Sequence, residues 1–412
     1  MHPIADEKVL FRSPDPKKIF AYTPWLCRVD AERLAASFDL SGPGIDEVTG
    51  PKSKVGDNAK GNQCRVMLSD DRGESWRETG RLPMLHARLF SAGDTLYLLG
   101  HGGKMLISRS TDRGESWSEP AVLDDRHHWH QSGCAIDYRH GRIYLVMERV
   151  VEGAPWPGVR PVLMSADVTT DLCCRENWRF SNELDIFELD KFPNLLGMPF
   201  FPNGFHRPDA PKDKRYSGLP GFLETNVVRL YDPNHLFFDP KDRTVLLVMR
   251  LNSNQSNLAA VARGVEKADG SLELSLLETP AGGPLLYTPM PGGQMKFHIV
   301  YDKVSRCYWS ALTQTTDSYS RVDRLPESRF NLPYNQRNRL ALYFSHNCFD
   351  WCFAGMIAHG RMDICSRHYA SLLVDGDNLL VFSRSGDEEA SSAHNGNILT
   401  LHRIGDFRRL IY

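Results

Sequence analysis

The chain lacks the features that mark membrane proteins, disulfide-rich secreted domains and nucleic-acid binders. None of its apolar stretches reaches about 18 residues, so no membrane-spanning helix is expected. The formal net charge is −2 and both signs are mixed along the chain, which argues against nucleic acid or a membrane surface as a partner. Nine cysteines among 412 residues are too few, and odd in number, for a disulfide scaffold, and none has zinc-site spacing. We therefore expect mostly reduced, buried cysteines in a globular protein.

The start of the chain also lacks a recognisable targeting signal. Residues 1–11, MHPIADEKVLF, contain no basic segment followed by an apolar one, which is what a signal peptide requires. This pattern fits a cytoplasmic protein, and it equally fits a secreted or periplasmic protein whose signal has been removed. The sequence leaves the compartment and the oligomeric state open.

Helical periodicity is nearly absent, and short apolar or alternating runs take its place. Gly, Pro, Asn or Asp separate these runs, which is typical of β-strands joined by turns. Hydrophobic residues make up 41% of the chain, enough for a sizeable core. The sequence predicts an all-β protein with strands that include Leu34–Phe38, Thr95–Leu99, Arg142–Met147, Val227–Leu230, Val245–Met249, Phe297–Tyr301, Leu340–Phe344, Leu379–Phe382 and Ile398–Leu401.

An eight-residue phrase occurs twice, 41 residues apart, and indicates a repeating unit. Residues 69–76 read SDDRGESW and residues 110–117 read STDRGESW, each after a strand-like run. The Asp can accept backbone N–H bonds and the Gly can adopt positive φ, which favours a hairpin, while the Trp offers apolar surface to a neighbouring unit. A repeat of this length predicts a radial array of four-stranded sheets, a β-propeller, in which Asp71 and Asp112 have structural roles.

Two loop-like segments interrupt the strand pattern. Residues 182–220 are rich in Pro, Phe, Asn and Gly with little periodicity, and residues 42–62 form a shorter insertion. Loops of this length inside a compact protein are usually functional. Since no linker divides the chain, we expect residues 1–412 to form a single propeller domain. The strand at Ile398–Leu401 is expected to pair with an N-terminal strand and close the ring.

The repeated phrase resembles the Asp-box, S-x-D-x-G-x-[ST]-W, of the sialidase (neuraminidase) superfamily. Members of that superfamily are six-bladed β-propellers of four-stranded antiparallel sheets, and the resemblance implies the same fold here. A degenerate third copy spans residues 345–351, SHNCFDW, and is one residue short. Because Asp-boxes also occur in non-enzymatic propellers, they imply the fold and not an activity.

Segments in the second half of the chain resemble the active-site strands of sialidases. Residues 223–228, LETNVV, are similar to the family's Glu followed by a Val-Val strand. Residues 247–252, LVMRLN, are similar to the strand ending in an Arg that grips the substrate carboxylate. The resemblance implies that Glu224 is a catalytic residue and that Arg250 binds substrate.

Two later segments follow in the order that the family shows. Residues 337–342, RNRLAL, resemble the strand with another Arg of that grip, for which Arg337 is a better match than Arg339. Residues 368–376, HYASLLVDG, resemble the segment that holds the catalytic Tyr. The resemblance therefore implies that Arg337 binds the carboxylate and that Tyr369 is the nucleophile.

The chain departs from the family at the first of the three carboxylate-binding arginines. Sialidases usually open with an Arg-Ile-Pro strand, whereas residues 22–25 of this chain read YTPW, with Thr23 at the position of the Arg. Either Arg28 or Arg88 substitutes for it, or the third contact is absent.

The acid/base carboxylate is the second departure. In the family it lies in a loop of the first blade, which here corresponds to residues 42–62. Asp46, Glu47 and Asp57 are the acidic residues there, and Asp46 is preferred for its position.

The resemblance implies a retaining exo-glycosidase whose chemistry suits these residue types. A planar guanidinium binds a carboxylate bidentately and stays charged. A carboxylate nucleophile would be repelled by the negative charge of the sugar, whereas a Tyr hydroxyl is neutral until a neighbouring Glu takes its proton; sialidases with a Tyr nucleophile are known exceptions to the two-carboxylate rule. An Asp protonates the leaving oxygen and later activates water. Tyr369, Glu224 and Asp46 are the predicted catalytic set.

Further polar residues on predicted strands and loops are expected to contact the sugar. Gln294 and His298 share one face of a strand after a Gly turn, and Arg384 ends a strand near the presumed pocket rim. The unusual run HHWHQ at residues 127–131 contributes His130 and Gln131. The predicted substrate-binding residues are Arg250, Arg337, Arg28, Arg88, His130, Gln131, Gln294, His298 and Arg384.

The same run also raises the question of a metal. His128 and His130 would point to the same side of a strand and could share an ion. The alternative is a loop before the strand at Arg142–Met147 with one His facing the pocket, and we expect this alternative, with no metal and no cofactor.

Three functions fit these observations. The first is an exo-acting glycosidase that takes a glycan with a terminal acidic sugar, most simply sialic acid. The second is a propeller lyase or hydrolase for uronate-containing polysaccharide, which would use His128, His130 or His298 together with a Tyr. The third is a propeller that binds glycans without catalysis.

Overall fold

Antiparallel β-sheets make up nearly all the regular structure of the chain. The structure is a computed structural model that describes residues 2–54, 61–154, 157–185, 221–252, 257–318, 320 and 336–412. Within these ranges it contains 29 strands and only short 3₁₀ helices, at Ile45–Glu47, Arg175–Asn177 and Phe407–Leu410. The prediction of an all-β protein is confirmed.

The sheets form six blades around a central axis, each with four main antiparallel strands. Three blades have a fifth, short strand: β4 (Ser53–Lys54) on blade 1, β22 (Tyr287–Pro289) on blade 4, and one of the two inner strands β11 (Trp129–His130) and β12 (Asp137–Arg139) on blade 3. Strands β20 (Leu277–Glu278) and β21 (Pro284–Leu285) form a separate hairpin. From inner to outer strand, blade 1 consists of β2 (Phe20–Arg28), β3 (Leu34–Ser41), β5 (Gly61–Ser69) and β6 (Arg77–Leu82), and blade 2 of β7 (Leu85–Ala92), β8 (Thr95–Gly102), β9 (Lys104–Ser110) and β10 (Ala121–Asp124). Blade 3 begins with the two short inner strands β11 and β12, followed by β13 (Arg142–Val150), β14 (Val159–Asp167) and β15 (Trp178–Glu183), and blade 4 consists of β16 (Phe222–Val228), β17 (Thr244–Leu251), β18 (Leu258–Glu266) and β19 (Leu272–Ser275). Blade 5 consists of β23 (His298–Asp302), β24 (Cys307–Thr313), β25 (Arg339–Ser345) and β26 (Cys352–His359), and blade 6 of β27 (Arg367–Asp375), β28 (Asn378–Ser385), β29 (Ile398–Ile404) and β1 (Asp6–Arg12).

The two ends of the chain close the ring within blade 6. Strand β1 pairs antiparallel with β29, with Asp6 opposite Arg403 and Arg12 opposite Ile398. The predicted pairing of the last strand with an N-terminal strand is confirmed. This closure ties the first blade to the last and leaves no open gap in the ring of sheets.

The hydrophobic core is divided into six clusters, one between each pair of adjacent blades. Between blades 5 and 6, for example, Trp309 and Phe344 pack against Leu379 and Phe407. Burial of each such side chain contributes about 1.5–3 kcal/mol, so the blades hold each other in place around the axis. The residues of the inner strands are thereby fixed at the centre of the ring.

The repeated phrase forms the same hydrogen-bonded turn in both copies, between the third and fourth strands of blades 1 and 2. In the first copy, Ser69 Oγ accepts from the N–H of Gly73 at 2.7 Å and donates to Asp71 at 2.8 Å, while Asp71 accepts from the N–H and the hydroxyl of Ser75. Ser110, Asp112, Gly114 and Ser116 repeat these bonds in the second copy. These bonds lower the pKa of Asp71 and of Asp112 to about 2, so both are ionised turn residues, as predicted.

The third, degenerate copy occupies the same place in blade 5, between β25 and β26. Ser345 Oγ accepts from the N–H of Cys348 at 2.8 Å, and Asn347 Oδ1 accepts from the N–H groups of Phe349 and Asp350. Asn347 therefore takes the part that the Asp plays in the intact copies. The turn survives the loss of one residue because these acceptors are kept.

The two predicted insertions are only partly described. Residues 45–47 form a 3₁₀ helix and β4 pairs with β5, while residues 55–60 lie outside the described residues. Residues 186–220 of the second insertion also lie outside them. Over the part of the chain that the structure describes, no helix is long and apolar enough to span a membrane.

Candidate active site

The inner strands of four blades share an irregularity that aims side chains at the axis. The pairing of β2, β7, β16 and β27 with the next strand shifts by a β-bulge near the start of each strand. Each bulge holds a residue other than Gly at positive φ: Thr23 at 34°, His86 at 54°, Glu224 at 53° and Tyr369 at 54°. Such residues cost about 1–3 kcal/mol each and cluster at functional sites. The bulges mark one end of the inner strands as the candidate active site.

Glu224, Arg250 and Tyr369 meet at this end of the ring. Arg250 Nη1 donates to Tyr369 Oη at 2.7 Å and to Glu224 Oε2 at 3.1 Å, so the hydroxyl and the carboxylate share one donor nitrogen. Glu224 and Arg250 are each 2% exposed and Tyr369 is 8% exposed. Strand pairing places Leu223 opposite Arg250, so one bulge and one register position bring the acid and the guanidinium together.

Electrostatics keep Glu224 ionised and Tyr369 protonated. Burial alone would raise the pKa of Glu224, but the charge of Arg250 and the hydrogen bonds from Tyr369 and Arg250 bring it below its ordinary value. Burial and the negative charge of Glu224 raise the pKa of Tyr369 well above its ordinary value, with Arg250 and Arg337 opposing the rise. A neutral hydroxyl therefore lies beside an ionised carboxylate that can take its proton.

Two more arginines flank Tyr369. Arg337 precedes β25 and is 1% exposed, with its guanidinium 5.8 Å from the Tyr369 ring and Nη1 3.2 Å from His368 Nδ1. Arg384 is 2% exposed, with its guanidinium 5.4 Å from the Tyr369 ring and stacked on Tyr22 at 3.8 Å. Burial lowers the pKa of Arg384 to about 10, so it stays charged at neutral pH. Three guanidiniums thus lie close to Tyr369, one on its hydroxyl and two beside its ring.

Lys296 and Gln294 hydrogen-bond to the backbone next to Tyr369 and to Arg250, respectively. Lys296 Nζ, fully buried, donates to the carbonyl of Ala370 at 2.9 Å, next to the strained backbone of Tyr369. The carbonyl of Gln294 accepts from Arg250 Nε at 2.9 Å, while its side chain donates to Thr315 Oγ1. Gln294 therefore orients Arg250 through its backbone carbonyl. Its side-chain amide, for which we predicted a sugar contact, binds Thr315 instead.

Two of the predicted arginines lie away from the cluster. Arg28 is at the far end of β2, where its guanidinium pairs with Asp375 at 2.6 Å, six residues beyond Tyr369 along β27. Arg88 is fully buried and donates to the carbonyls of Cys134 and Val146 in blade 3. Neither takes the place of the missing first arginine. Arg384 is the third arginine that the fold brings to Tyr369.

The side chains of His298 and Gln131 are hydrogen-bonded to the backbone of neighbouring strands. His298 Nδ1 accepts from the N–H of Leu372 at 2.8 Å, and its ring packs on Trp25 at 4.6 Å. Together with Arg28 it lines a cavity of about 430 Å³ toward the opposite end of the inner strands. Gln131 is 1% exposed and donates to the carbonyls of His86 and Leu99. Both side chains join neighbouring strands, contrary to the expected sugar contacts.

His130 lies next to the cluster and is tied to it through Glu148. His130 Nδ1 is 2.6 Å from Glu148 Oε2, and the other oxygen of Glu148 accepts from the N–H of Glu224. Glu148 is 1% exposed, and burial raises its pKa above the ordinary value. Sequence reasoning missed Glu148 because a charged residue near a strand end is normally a solvated one.

The predicted acid/base residue lies on the surface of blade 1. Asp46 and Glu47 are exposed on the 3₁₀ helix Ile45–Glu47, and no contact among the described residues joins either of them to the buried cluster. Asp57 lies outside the described residues. The role of Asp46 stays a prediction. Asp39, which the sequence did not single out, is fully buried and accepts from the N–H of His86 at 2.9 Å, so it holds the bulge of β7 in place.

Comparison with known proteins identifies the fold of this ring. No protein-family model matches the sequence, and no curated protein does. Solved structures match along almost the whole chain: a protein of unknown function from Dyadobacter fermentans (12% identity, TM-score 0.58, 97% of this chain and 98% of that one), a mutant of the Trypanosoma rangeli sialidase displaying trans-sialidase activity (14%, 0.57, 100% and 60%) and the NanB sialidase from Streptococcus pneumoniae (10%, 0.53, 97% and 71%). This chain has the sialidase fold.

The likeness is one of architecture. The chain spans about 60% of the length of the Trypanosoma rangeli protein, which extends beyond the propeller-sized region matched here. At 10–14% identity a shared sialidase fold leaves the reaction and the substrate to be argued from the residues of this chain. The residues that bear on the reaction are those of the cluster around Tyr369.

Proposed function

We propose that the protein is an exo-acting glycosidase that removes a terminal acidic sugar, most simply sialic acid, with retention of configuration. One observation carries this proposal: a single nitrogen of Arg250 donates to both the hydroxyl of Tyr369 and the carboxylate of Glu224. The contact unites a neutral nucleophile, its base and a carboxylate-binding guanidinium in one buried site.

Glu224 and Tyr369 divide the nucleophilic chemistry between them. Glu224 is ionised and shares the donor nitrogen of Arg250 with the Tyr369 hydroxyl, so it takes the phenolic proton as the oxygen attacks the anomeric carbon. The C–O bond to the leaving group breaks as the Tyr369 C–O bond forms. The acid, for which Asp46 is the candidate, protonates the leaving oxygen as that bond breaks. It then takes a proton from the water that releases the sugar from Tyr369, and Glu224 returns its proton to the Tyr369 oxygen. Two displacements at one carbon give overall retention.

Arg250, Arg337 and Arg384 form the proposed clamp for the sugar carboxylate. All three are buried, and Arg384 makes no ion pair with any described residue. Buried guanidiniums favour a planar carboxylate, whose two oxygens accept charge-assisted hydrogen bonds from them. Arg384 enters from β28, beside Tyr22, and so supplies the charge that Thr23 lacks.

The sialidase structures with this fold show what such a site can hold. The Trypanosoma rangeli sialidase has been solved in complex with sialic acid and as a covalent intermediate with 2,3-difluorosialic acid. These complexes support sialic acid as the simplest substrate to test on this chain.

The test is release of a fluorescent aglycone from an α-sialoside between pH 3 and pH 8. Activity requires ionised Glu224, so it is present above the pKa of that group and is lost as the pH falls through it. Since Arg250 holds this pKa below its ordinary value of 4.5, we expect the acid limb of kcat/KM to lie below pH 4.5. Absence of release over the whole range would contradict the proposal.

The acid role of Asp46 can be tested with leaving groups of different quality. We expect Asp46→Asn to reduce turnover of a natural sialyl-oligosaccharide by about 10²–10⁴-fold, because a sugar hydroxylate leaves poorly without a proton. Release of an acidic phenol should change much less, since it needs no protonation. Glu47→Gln, on the same exposed 3₁₀ helix, is the matched control and should leave both rates unchanged. Equal behaviour of the two variants would exclude Asp46 as the acid.

A further inference from the structure

Three histidines from three strands converge beside the bulge of β7. His86 lies in the bulge, His101 lies on β8 and His130 lies on β11 of the next blade. Their ring centroids are 5.4–5.5 Å apart, and one ring nitrogen from each lies within 4.8 Å of the others. The cluster is at the same end of the inner strands as Glu224 and Tyr369.

Two of the rings are oriented by acceptors on their outer nitrogens. His86 Nδ1 is 2.6 Å from the carbonyl of Gln131, and His130 Nδ1 is 2.6 Å from Glu148 Oε2. A carbonyl or carboxylate oxygen only accepts, so each Nδ1 carries the proton and the lone pair of each neutral ring is on Nε2. This is the arrangement in which a carboxylate or carbonyl fixes the tautomer of a metal-binding histidine.

His101 is buried without a hydrogen bond of ordinary geometry to either ring nitrogen. It is 2% exposed, and among the described residues neither nitrogen has a partner at hydrogen-bond geometry. An imidazole buried in this way loses its hydration, which costs about 1–3 kcal/mol for each unsatisfied group. An ion bound to one of these nitrogens would offset part of that cost.

We propose that His86, His101 and His130 bind one divalent transition-metal ion, best suited to zinc. Three imidazoles with one further position for water or substrate form one of the ligand sets of catalytic zinc sites. Tetrahedral zinc needs nitrogens about 3.4 Å apart, from Zn–N distances of about 2.0–2.1 Å. Binding would therefore bring the three nitrogens, now within 4.8 Å of one another, closer together.

Glu148 connects this site to the cluster around Tyr369. One of its oxygens holds His130, and the other accepts from the N–H of Glu224 at the strained bulge of β16. A metal ion would fix His130, Glu148 and the backbone of Glu224 in one rigid chain. Glu148 is therefore a positioning residue. The metal site does not depend on the chemistry proposed for Tyr369, because it rests on other side chains.

The test is zinc binding to the full chain after removal of metals with a chelator, measured by calorimetry. We expect one zinc ion per chain, an affinity at least about 100-fold weaker in His101→Ala, and an affinity about 10–100-fold weaker in Glu148→Gln. His128→Ala is the matched control, because His128 is exposed, close in sequence and outside the cluster. It should bind zinc as the wild type does. Equal affinity of wild type and His101→Ala, or no stoichiometric binding by the wild type, would overturn the proposal.

A second measurement distinguishes loss of the metal site from misfolding of the His101→Ala variant. Cobalt(II) bound in the wild type should give the intense visible bands of a tetrahedral ion, and His101→Gln, which fills the site, should abolish them while its circular dichroism stays unchanged. Intense bands that persist in a folded His101→Gln variant would overturn the assignment of His101. Weak bands of an octahedral ion in the wild type would overturn the three-histidine site.

Discussion

Replacing Tyr369 with Phe is expected to reduce turnover of an α-sialoside by about 10³-fold or more. The substitution removes only the hydroxyl group, whose oxygen accepts from Arg250 Nη1 at 2.7 Å, the same nitrogen that binds Glu224. Without it Glu224 has no proton to take and the sugar has no oxygen to bond. The loss should be in kcat, with KM changed much less, because the arginines that bind the carboxylate remain.

Tyr343→Phe is the matched control for this prediction. Tyr343 is 4% exposed in the core between blades 4 and 5, so the same atom is deleted from a buried tyrosine far from the cluster. Its activity should equal that of the wild type, and both variants should keep the circular dichroism of the β-sheet. If Tyr369→Phe retained wild-type kcat, Tyr369 would not be the nucleophile.

The second large effect is expected at Arg250, where Lys should reduce kcat/KM by about 10²–10³-fold. Lys keeps the positive charge in the buried site, but its single nitrogen cannot replace the three bonds that Arg250 makes to Glu224, Tyr369 and the carbonyl of Gln294. The variant should also lose the low pKa of Glu224 in part, so the acid limb of the pH profile should move to higher pH.

Arg263→Lys provides the control, since Arg263 lies on the neighbouring strand β18 and its guanidinium donates to Ser275 Oγ, away from Glu224 and Tyr369. This variant should leave kcat/KM unchanged.

A substrate in which the carboxylate is a methyl ester gives a further check. The wild type should prefer the acid to the ester strongly, and Arg250→Lys should reduce that preference. An unchanged preference would mean that Arg250 does not bind the carboxylate.

The fold could be predicted from the sequence because its signals are local. The two copies of the repeated phrase contain all the donors and acceptors of their own turns, so the turn follows from eight residues. Each predicted strand overlaps an observed one, although most observed strands are longer, and Val227–Leu230 shares only its first two residues with β16, which ends at Val228. Short apolar runs separated by turn residues are likewise a local signal.

The site could be predicted only where this chain keeps the residue order of the resembling family. Glu224, Arg250, Arg337 and Tyr369 come together as that order implied. Arg384 was predicted as a contact at the pocket rim but not as the third arginine, because it comes from β28 and lies beside Tyr369 while stacked on Tyr22. Arg28 and Arg88, the two candidates for that place, are bound to Asp375 and to backbone carbonyls of blade 3.

Neither the bulges nor the histidine cluster could be predicted from a local sequence pattern. Glu224 and Tyr369 adopt positive φ without being Gly or Asn, and tertiary packing imposes that conformation. His86, His101 and His130 are separated by 15 and 29 residues, and only the contact between blades 2 and 3 brings them together. The spacing of His128 and His130 suggested a metal pair, but His128 is exposed and outside the cluster.

The measurement that tests the proposed activity most directly is covalent trapping with 2,3-difluorosialic acid, a compound found as a covalent intermediate in the Trypanosoma rangeli sialidase. After incubation and proteolysis, mass spectrometry of the peptides would locate the sugar. The account predicts one adduct, on Tyr369, that is absent from Tyr369→Phe. An adduct on another residue, or no adduct from a protein that hydrolyses α-sialosides, would contradict it.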